Sequence, residues 1–185
     1  AFAVESHRRA ANALDNGYFS SQIVPVEVRS KKGPVQFTLD EHVRKGTTLE
    51  DLRKLKAVFK KDGTVTAGNA SGLNDAAAAV VLMEAKAAEK AGVRPMARLV
   101  AYAHAGVEPH VMGLGPIPAV KRVFEKSRLK VSDMDVIELN EAFAAQAMAV
   151  NADLGFDPAK VNPNGGAVAL GHPIGATGCL LTVRA

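Results

Sequence analysis

The sequence predicts an α/β protein, and three observations carry that expectation. Short runs rich in Val, Ile and Leu alternate with segments of helical periodicity, the order that strand–helix units produce. Gly and Pro punctuate most junctions between them. The 185 residues are 48% hydrophobic and 23% charged, with 16 Gly and no Trp. That is enough apolar material for one full domain or parts of two, and too little polar bias for disorder. No apolar run reaches the roughly 18 residues a membrane span needs. The single cysteine, Cys179, excludes an intrachain disulfide and fits a reducing, cytoplasmic compartment. The net charge of +4 suits an anionic partner without naming it.

The elements follow in order. Phe2, Val4, Ala10, Ala13 and Leu14 recur at near-helical spacing, and Gly17 stops that helix. Because the chain opens inside a helix and ends in the apolar run Leu180–Leu181, it reads as an internal piece of a longer protein. Residues 22–28 (QIVPVEV) form an expected strand, with Pro25 favouring an edge. A basic turn at 29–34 leads to a second short strand at 35–38, then a polar loop or helical turn at 40–46. Thr48-Leu49-Glu50-Asp51 resembles a capping box opening a helix to Leu55. Residues 60–72 are loop, and the run Ala76–Met83 is either a buried strand or a buried helix. A helix from Glu84 stops at Gly92, and Arg94-Pro95 marks a boundary. Beyond it lie an expected strand 97–103, helix 116–126, strand 134–139 and helix 141–154. A glycine-studded loop, 162–178, precedes a final helix beginning at Cys179.

Three segments carry chemistry. In NPNGGAVALGHPIGATG (162–178), five glycines free the backbone to approach a ligand, and His172 lies between Gly171 and Pro173 where bulky neighbours cannot cover it. Imidazole suits proton transfer near neutral pH, although a glycine-rich connection with an incidental surface His satisfies the same pattern. The segment is neither a P-loop nor G-x-G-x-x-G. In NEAFA (140–144), Asn140 reads either as the cap between a strand and a helix or as an amide at a strand's carboxyl end, where open α/β sheets bind ligands. In TAGNASGLND (66–75), small residues suit either a narrow slot for a thin ligand or an ordinary polar loop. His104 and His110 lie near no other ligand at metal-binding spacing and read as structural. Leu180 and Leu181 suggest that Cys179 is buried and not a nucleophile. Arg29, Lys31, Lys32, Arg44, Lys60 and Lys61 are interleaved with acids and lack the aromatics of a single-strand nucleic-acid site.

Taken together, GNASGLND (68–75), NEAFAAQA (140–147) and NPNGGAVALGHPIGATG resemble the signatures of the thiolase family, in the family's order and spacing over essentially the whole chain. The resemblance is closest to bacterial biosynthetic acetyl-CoA acetyltransferases and β-ketothiolases. It implies a layered α/β fold of two similar halves. Residues 1–92 would end the N-terminal half, including a CoA-binding loop domain to about 75, and residues 93–185 would begin the C-terminal half. It implies a metal-free, CoA-dependent Claisen condensation and its reverse, thiolysis, with acetyl-CoA and other acyl-CoA thioesters as substrates and no tightly bound cofactor. His172 matches the histidine that activates the nucleophilic thiol and donates to the thioester oxygen, and Asn140 the residue holding a water at the same oxyanion. Ser71 matches a pantetheine contact and Arg44 a residue near the CoA nucleotide. Phe59, Ala67 and Met112 match positions lining the pantetheine tunnel or acyl pocket. Both family cysteines fall outside this chain, Cys179 matches neither, and the chain alone is expected to be inactive. Asp51 stands where relatives often carry Ser near the ribose, and Ala76 where many carry Gly. The family forms dimers or tetramers. The competing readings are a degradative 3-ketoacyl-CoA thiolase and a non-catalytic CoA-binding module.

Overall fold

A computed structural model describes all 185 residues. The helices are α1 (Phe2–Asp15), α2 (Leu49–Arg53), α3 (Ala85–Lys90), α4 (Pro116–Ser127), α5 (Ala144–Leu154), α6 (Ala167–Leu170) and α7 (Thr177–Arg184). Two strands, β1 (Val26–Ser30) and β2 (Gly33–Phe37), pair antiparallel with Val26 opposite Phe37 and Ser30 opposite Gly33. The strand expected from residue 22 starts at Val26, because backbone turns occupy the chain through Gln22 and Pro25 has no N–H to give. Thr48 caps α2 as its sequence indicates, accepting the Asp51 N–H at 3.1 Å.

The remaining expected strands need correction. Residues 97–103 belong to no strand or bridge, and Met134–Leu139 contributes one parallel bridge, Ile137 to Val161. The run Ala76–Met83 is neither helix nor ladder strand, and Val81 and Leu82 stand 90% and 77% exposed. These segments have strand-like composition, but a ladder also needs a neighbouring strand, and only Ile137 is paired with one residue, Val161.

Two apolar clusters form the core. Ala10, Ala13 and Phe19 meet Ala169 and Leu170, packing α1 onto α6. Leu139, Ala147, Val150, Phe156 and Val161 pack beneath α5, with Ile117 and Val120 of α4 against them. The buried stripe of α1 is Ala3, Ser6, His7, Ala10 and Ala13; it includes Ala10 and Ala13 of the expected apolar face and leaves Phe2, Val4 and Leu14 partly buried.

A polar knot joins the two clusters. The buried Glu141 carboxylate accepts the Ser6 hydroxyl at 2.7 Å, the Asn162 side-chain N–H at 3.1 Å and the Val168 N–H at 3.2 Å. Ser6 Oγ in turn accepts the Gly166 N–H at 3.1 Å. Asn162 also pairs with both backbone groups of Leu139, each at 2.8 Å, so its side-chain amide continues the bridge that Ile137 begins. Gly166 is required here, because a Cβ would enter the Glu141 carboxylate. Replacing one oxygen of that carboxylate by NH₂ sets donor against donor in a buried site. Glu141→Gln in the full-length protein should therefore cost about 3 kcal/mol, against about 1 kcal/mol for Ser6→Ala. Urea unfolding midpoints check this, and equal losses for the two variants would contradict it.

Candidate active site

The knot fixes the glycine-rich segment, and that segment carries His172. Its backbone N–H donates to the Gly72 carbonyl at 3.0 Å. Gly171 precedes it at φ +90°, and a Cβ there would collide with the Asn74 side chain. The GNASGLND and NEAFAAQA segments are bound to each other in the same way. Ser71 donates its N–H and its hydroxyl to the Ala142 carbonyl, at 3.0 and 3.1 Å, while the Ala144 N–H reaches Asn69 O at 2.8 Å. Those bonds pair Phe143 with Ala70 and hold it extended, so α5 begins at Ala144 with Phe143 at its N-cap position, not at Glu141. Asn140 is accordingly no helix cap, which removes one of its two sequence readings.

Asn140 instead faces His172, with its side-chain nitrogen 3.3 Å from Nε2. The other ring nitrogen, Nδ1, lies 2.8 Å from Thr177 Oγ1. Thr177 spends its one hydroxyl proton on the Pro173 carbonyl at 2.9 Å, so its oxygen can only accept from the ring. That assigns the proton of the neutral imidazole to Nδ1 and makes the unprotonated Nε2 the acceptor of the Asn140 side-chain N–H. Asn140 Oδ1 is buried with no partner, an acceptor awaiting a donor that fits between it and a ligand.

His172 opens on a cavity of about 680 Å³, walled by Leu73, Asn74, Ala77, Ile174 and Cys179 among others. Cys179 is half-buried in α7 and belongs to this wall, where burial beside Leu180 and Leu181 was the sequence expectation. The other sequence-selected residues spread outward. Phe59 makes an edge-to-face contact with Phe143, ring centroids 6.0 Å apart. Ala67 lies exposed in the turn closed by Asn69, whose side chain accepts the Thr66 N–H. Arg44 sits on the turn after β2 with an exposed side chain, and its backbone N–H donates to His7 Nδ1 at 3.2 Å. Met112 is 72% exposed on the 3₁₀ turn Pro109–Leu114, and no contact joins it to His172.

Sequence reasoning missed Thr177, Glu141, Ser6, Asn162 and His7. A signal existed for two of them: Ser6 and His7 interrupt an otherwise alanine-lined helical stripe, and polar residues there require partners. Burial, then the nearby charges of His42 and Arg44, hold His7 below the ordinary histidine value. Burial pushes the Glu138 carboxyl up to about 7, with Arg184 opposing and Glu141 adding to the rise. Asp51, exposed on α2, is held below the usual carboxylate range, first by the Thr48 hydroxyl and then by Lys54.

Thr177→Val should retain the shape of the site while removing the acceptor for Nδ1–H. In the full-length protein it should lower any turnover that uses His172 about tenfold with little change in KM, and Thr177→Ser should restore it. An unchanged kcat in the valine variant would remove Thr177 from the site.

Comparison with known proteins bears on what this geometry serves. Residues 1–86 match the thiolase N-terminal domain and residues 93–185 the thiolase C-terminal domain. Beta-ketothiolase BktB of Cupriavidus necator is 64% identical over 99% of this chain and 47% of its own length. The acetyl-CoA acetyltransferase of Paracoccus denitrificans is 54% identical over 96% of this chain and 46% of its own. The crystal structure of the Bacillus anthracis acetyl-CoA acetyltransferase superposes with a TM-score of 0.96 at 50% identity, over 99% of this chain and 46% of that one. Human mitochondrial 3-ketoacyl-CoA thiolase in complex with CoA superposes with a TM-score of 0.89 at 44% identity, over 99% of this chain and 45% of that one. The chain thus spans about half the length of the relatives it matches. With both family domains represented and the three signatures hydrogen-bonded into one site, the chain belongs to the thiolase family.

Proposed function

We propose that the full-length protein is a biosynthetic-type thiolase that condenses two acetyl-CoA to acetoacetyl-CoA and catalyses the reverse thiolysis, with some tolerance for longer 3-ketoacyl-CoA. The observation that carries this reading is the unprotonated Nε2 of His172, held by the Asn140 amide, in a residue that lines an open cavity. In this reading Nε2 takes the proton of a cysteine thiol supplied by the rest of the protein, and the thiolate attacks the thioester carbonyl. The imidazolium so formed presents Nε2–H to the oxygen that becomes negative, while Thr177 continues to accept Nδ1–H. A water completes the oxyanion site by donating one hydrogen to Asn140 Oδ1 and the other to the same oxygen. Such donors are worth a few kcal/mol each where water is excluded, about 3 for a well-placed one.

The same reading divides the chain at residues 92 and 93, with the loop domain ending near 75. It assigns Ser71, Phe59, Ala67 and Met112 to the pantetheine arm and acyl group, and Arg44 to the CoA nucleotide. The exposed apolar runs 76–83 and 97–103 then find their ladder partners in the half of the family fold that this chain does not cover. A cytoplasmic homo-oligomer, dimer or tetramer, completes the proposal. The 64% identity to a beta-ketothiolase favours the biosynthetic over the degradative assignment, and a catalytic over a purely CoA-binding role.

His172→Ala in the full-length enzyme should lose several orders of magnitude in turnover, because one ring serves as base and as oxyanion donor. A loss below about tenfold, which is roughly 1.4 kcal/mol, would contradict its role. Asn140→Ala should be milder, since its contribution passes through a water. The unfolding midpoint should hardly move, because Asn140 caps no helix. Equal losses of rate and stability would make Asn140 structural only.

A further inference from the structure

The turn that carries Arg44 is tied to the helix beneath it through one titratable acceptor. His7 is 5% exposed on α1 and receives the Arg44 backbone N–H on Nδ1. Three other ties bind the same turn. Val43 packs against the α1–α6 cluster, Lys45 pairs with Asp15, and His42 donates Nδ1–H to the Ala169 carbonyl at 2.8 Å. His42 lies so close over Gly72 that a Cβ there would strike its Nε2. The turn therefore leans on both segments that flank His172.

These ties respond differently to acid. The His42 bond uses a ring N–H and survives protonation of that ring. The His7 bond uses a lone pair and cannot, because protonated Nδ1 would face the Arg44 N–H donor to donor. The charged neighbours of His7 make the point general. His42 and Arg44 face it from the turn, while α6, packed along α1, has no titratable side chain. On α1 itself Glu5 is engaged by Arg8 and Arg9, and Glu141 is occupied by Ser6 one residue away. No free carboxylate among these offers compensation for a charge on His7.

We propose that His7 is a positioning residue for CoA: as the neutral Nε2–H tautomer it accepts the Arg44 N–H and holds the guanidinium at the nucleotide, and a second proton releases the turn. Burial and the adjacent cations place that release below the ordinary histidine range. Acid then weakens the grip on the nucleotide end of the substrate and leaves the pantetheine end untouched. This inference rests on the assignment of Arg44 to the CoA nucleotide.

The test compares KM and kcat for acetoacetyl-CoA and for acetoacetyl-pantetheine, from pH 5 to 8, in the full-length enzyme and in Arg44→Ala, His7→Leu and His7→Gln. Gln offers an acceptor that does not titrate. His7→Leu should raise KM for the CoA thioester about fivefold at pH 8, with kcat and the pantetheine KM unchanged. In the unmodified enzyme the ratio of the two KM values should climb as pH falls. Part of that climb belongs to the CoA phosphate monoester, which titrates near pH 6; the part due to His7 is the part that vanishes in His7→Gln. If Arg44→Ala leaves the CoA KM unchanged, the nucleotide assignment fails first. If Arg44→Ala raises it but the His7→Gln profile matches the unmodified enzyme, the tether fails alone. Equal effects of His7→Leu on both substrates would make His7 purely structural, and should that variant not fold, the His7→Gln profile decides.

Discussion

One buried carboxylate organises this chain. Glu141 takes hydrogen bonds from Ser6 on α1 and, more than 150 residues later, from the Asn162 side chain and the Val168 backbone of the glycine-rich segment. A carboxylate out of water is costly unless every lone pair it presents is used. The groups that satisfy it must therefore be held in place, and holding them sets the path of the glycine-rich segment. Small residues follow from the same requirement, since Gly166 lies against the carboxylate itself. The α1–α6 packing and the cluster beneath α5 meet at this knot, and neither shares a residue with the other.

The site inherits its precision from that arrangement. Once the 162–171 segment is fixed, the His172 backbone docks on Gly72, and the strand-like contact of 69–71 with 142–144 brings Asn140 to the ring. Thr177 then chooses the tautomer by having no second proton to give. The result is a base with its lone pair toward the Asn140 amide at the edge of the cavity, and a buried amide oxygen still lacking a donor. In the proposed reaction the first takes the proton of a cysteine thiol that the rest of the protein supplies, and the second holds a water at the developing oxyanion. Arg44, which the proposal assigns to the nucleotide, sits on an exposed turn, as suits a contact that would contribute uniform binding.

Much of this was legible in the sequence, for reasons that differ from element to element. The helix 116–126 and the Thr48 cap are local features, fixed by periodicity and by one hydroxyl, and they emerge as read. The three signatures were visible because close backbone packing demands particular small residues at fixed spacing. What escaped was non-local. Ser6 and Glu141 are 135 residues apart, and nothing in either segment announces the other. Asn140 looked like a cap because it stands between apolar runs, yet the bridge from Ala70 to Phe143 claims the backbone that a cap would serve. The runs 76–83 and 97–103 have strand composition without a ladder, since pairing is a property of neighbours and not of one segment.

The central claim is that the fold presents His172 as a base at Nε2, with its proton kept on Nδ1 by Thr177. Nitrogen-15 NMR of the imidazole in the full-length enzyme, at a pH where the ring is neutral, reads the tautomer directly. A protonated, pyrrole-type Nδ1 with a pyridine-type Nε2 is the predicted result. A proton found on Nε2 would contradict it, because the nitrogen facing Asn140 and the cavity would then have no lone pair with which to take a proton from a thiol.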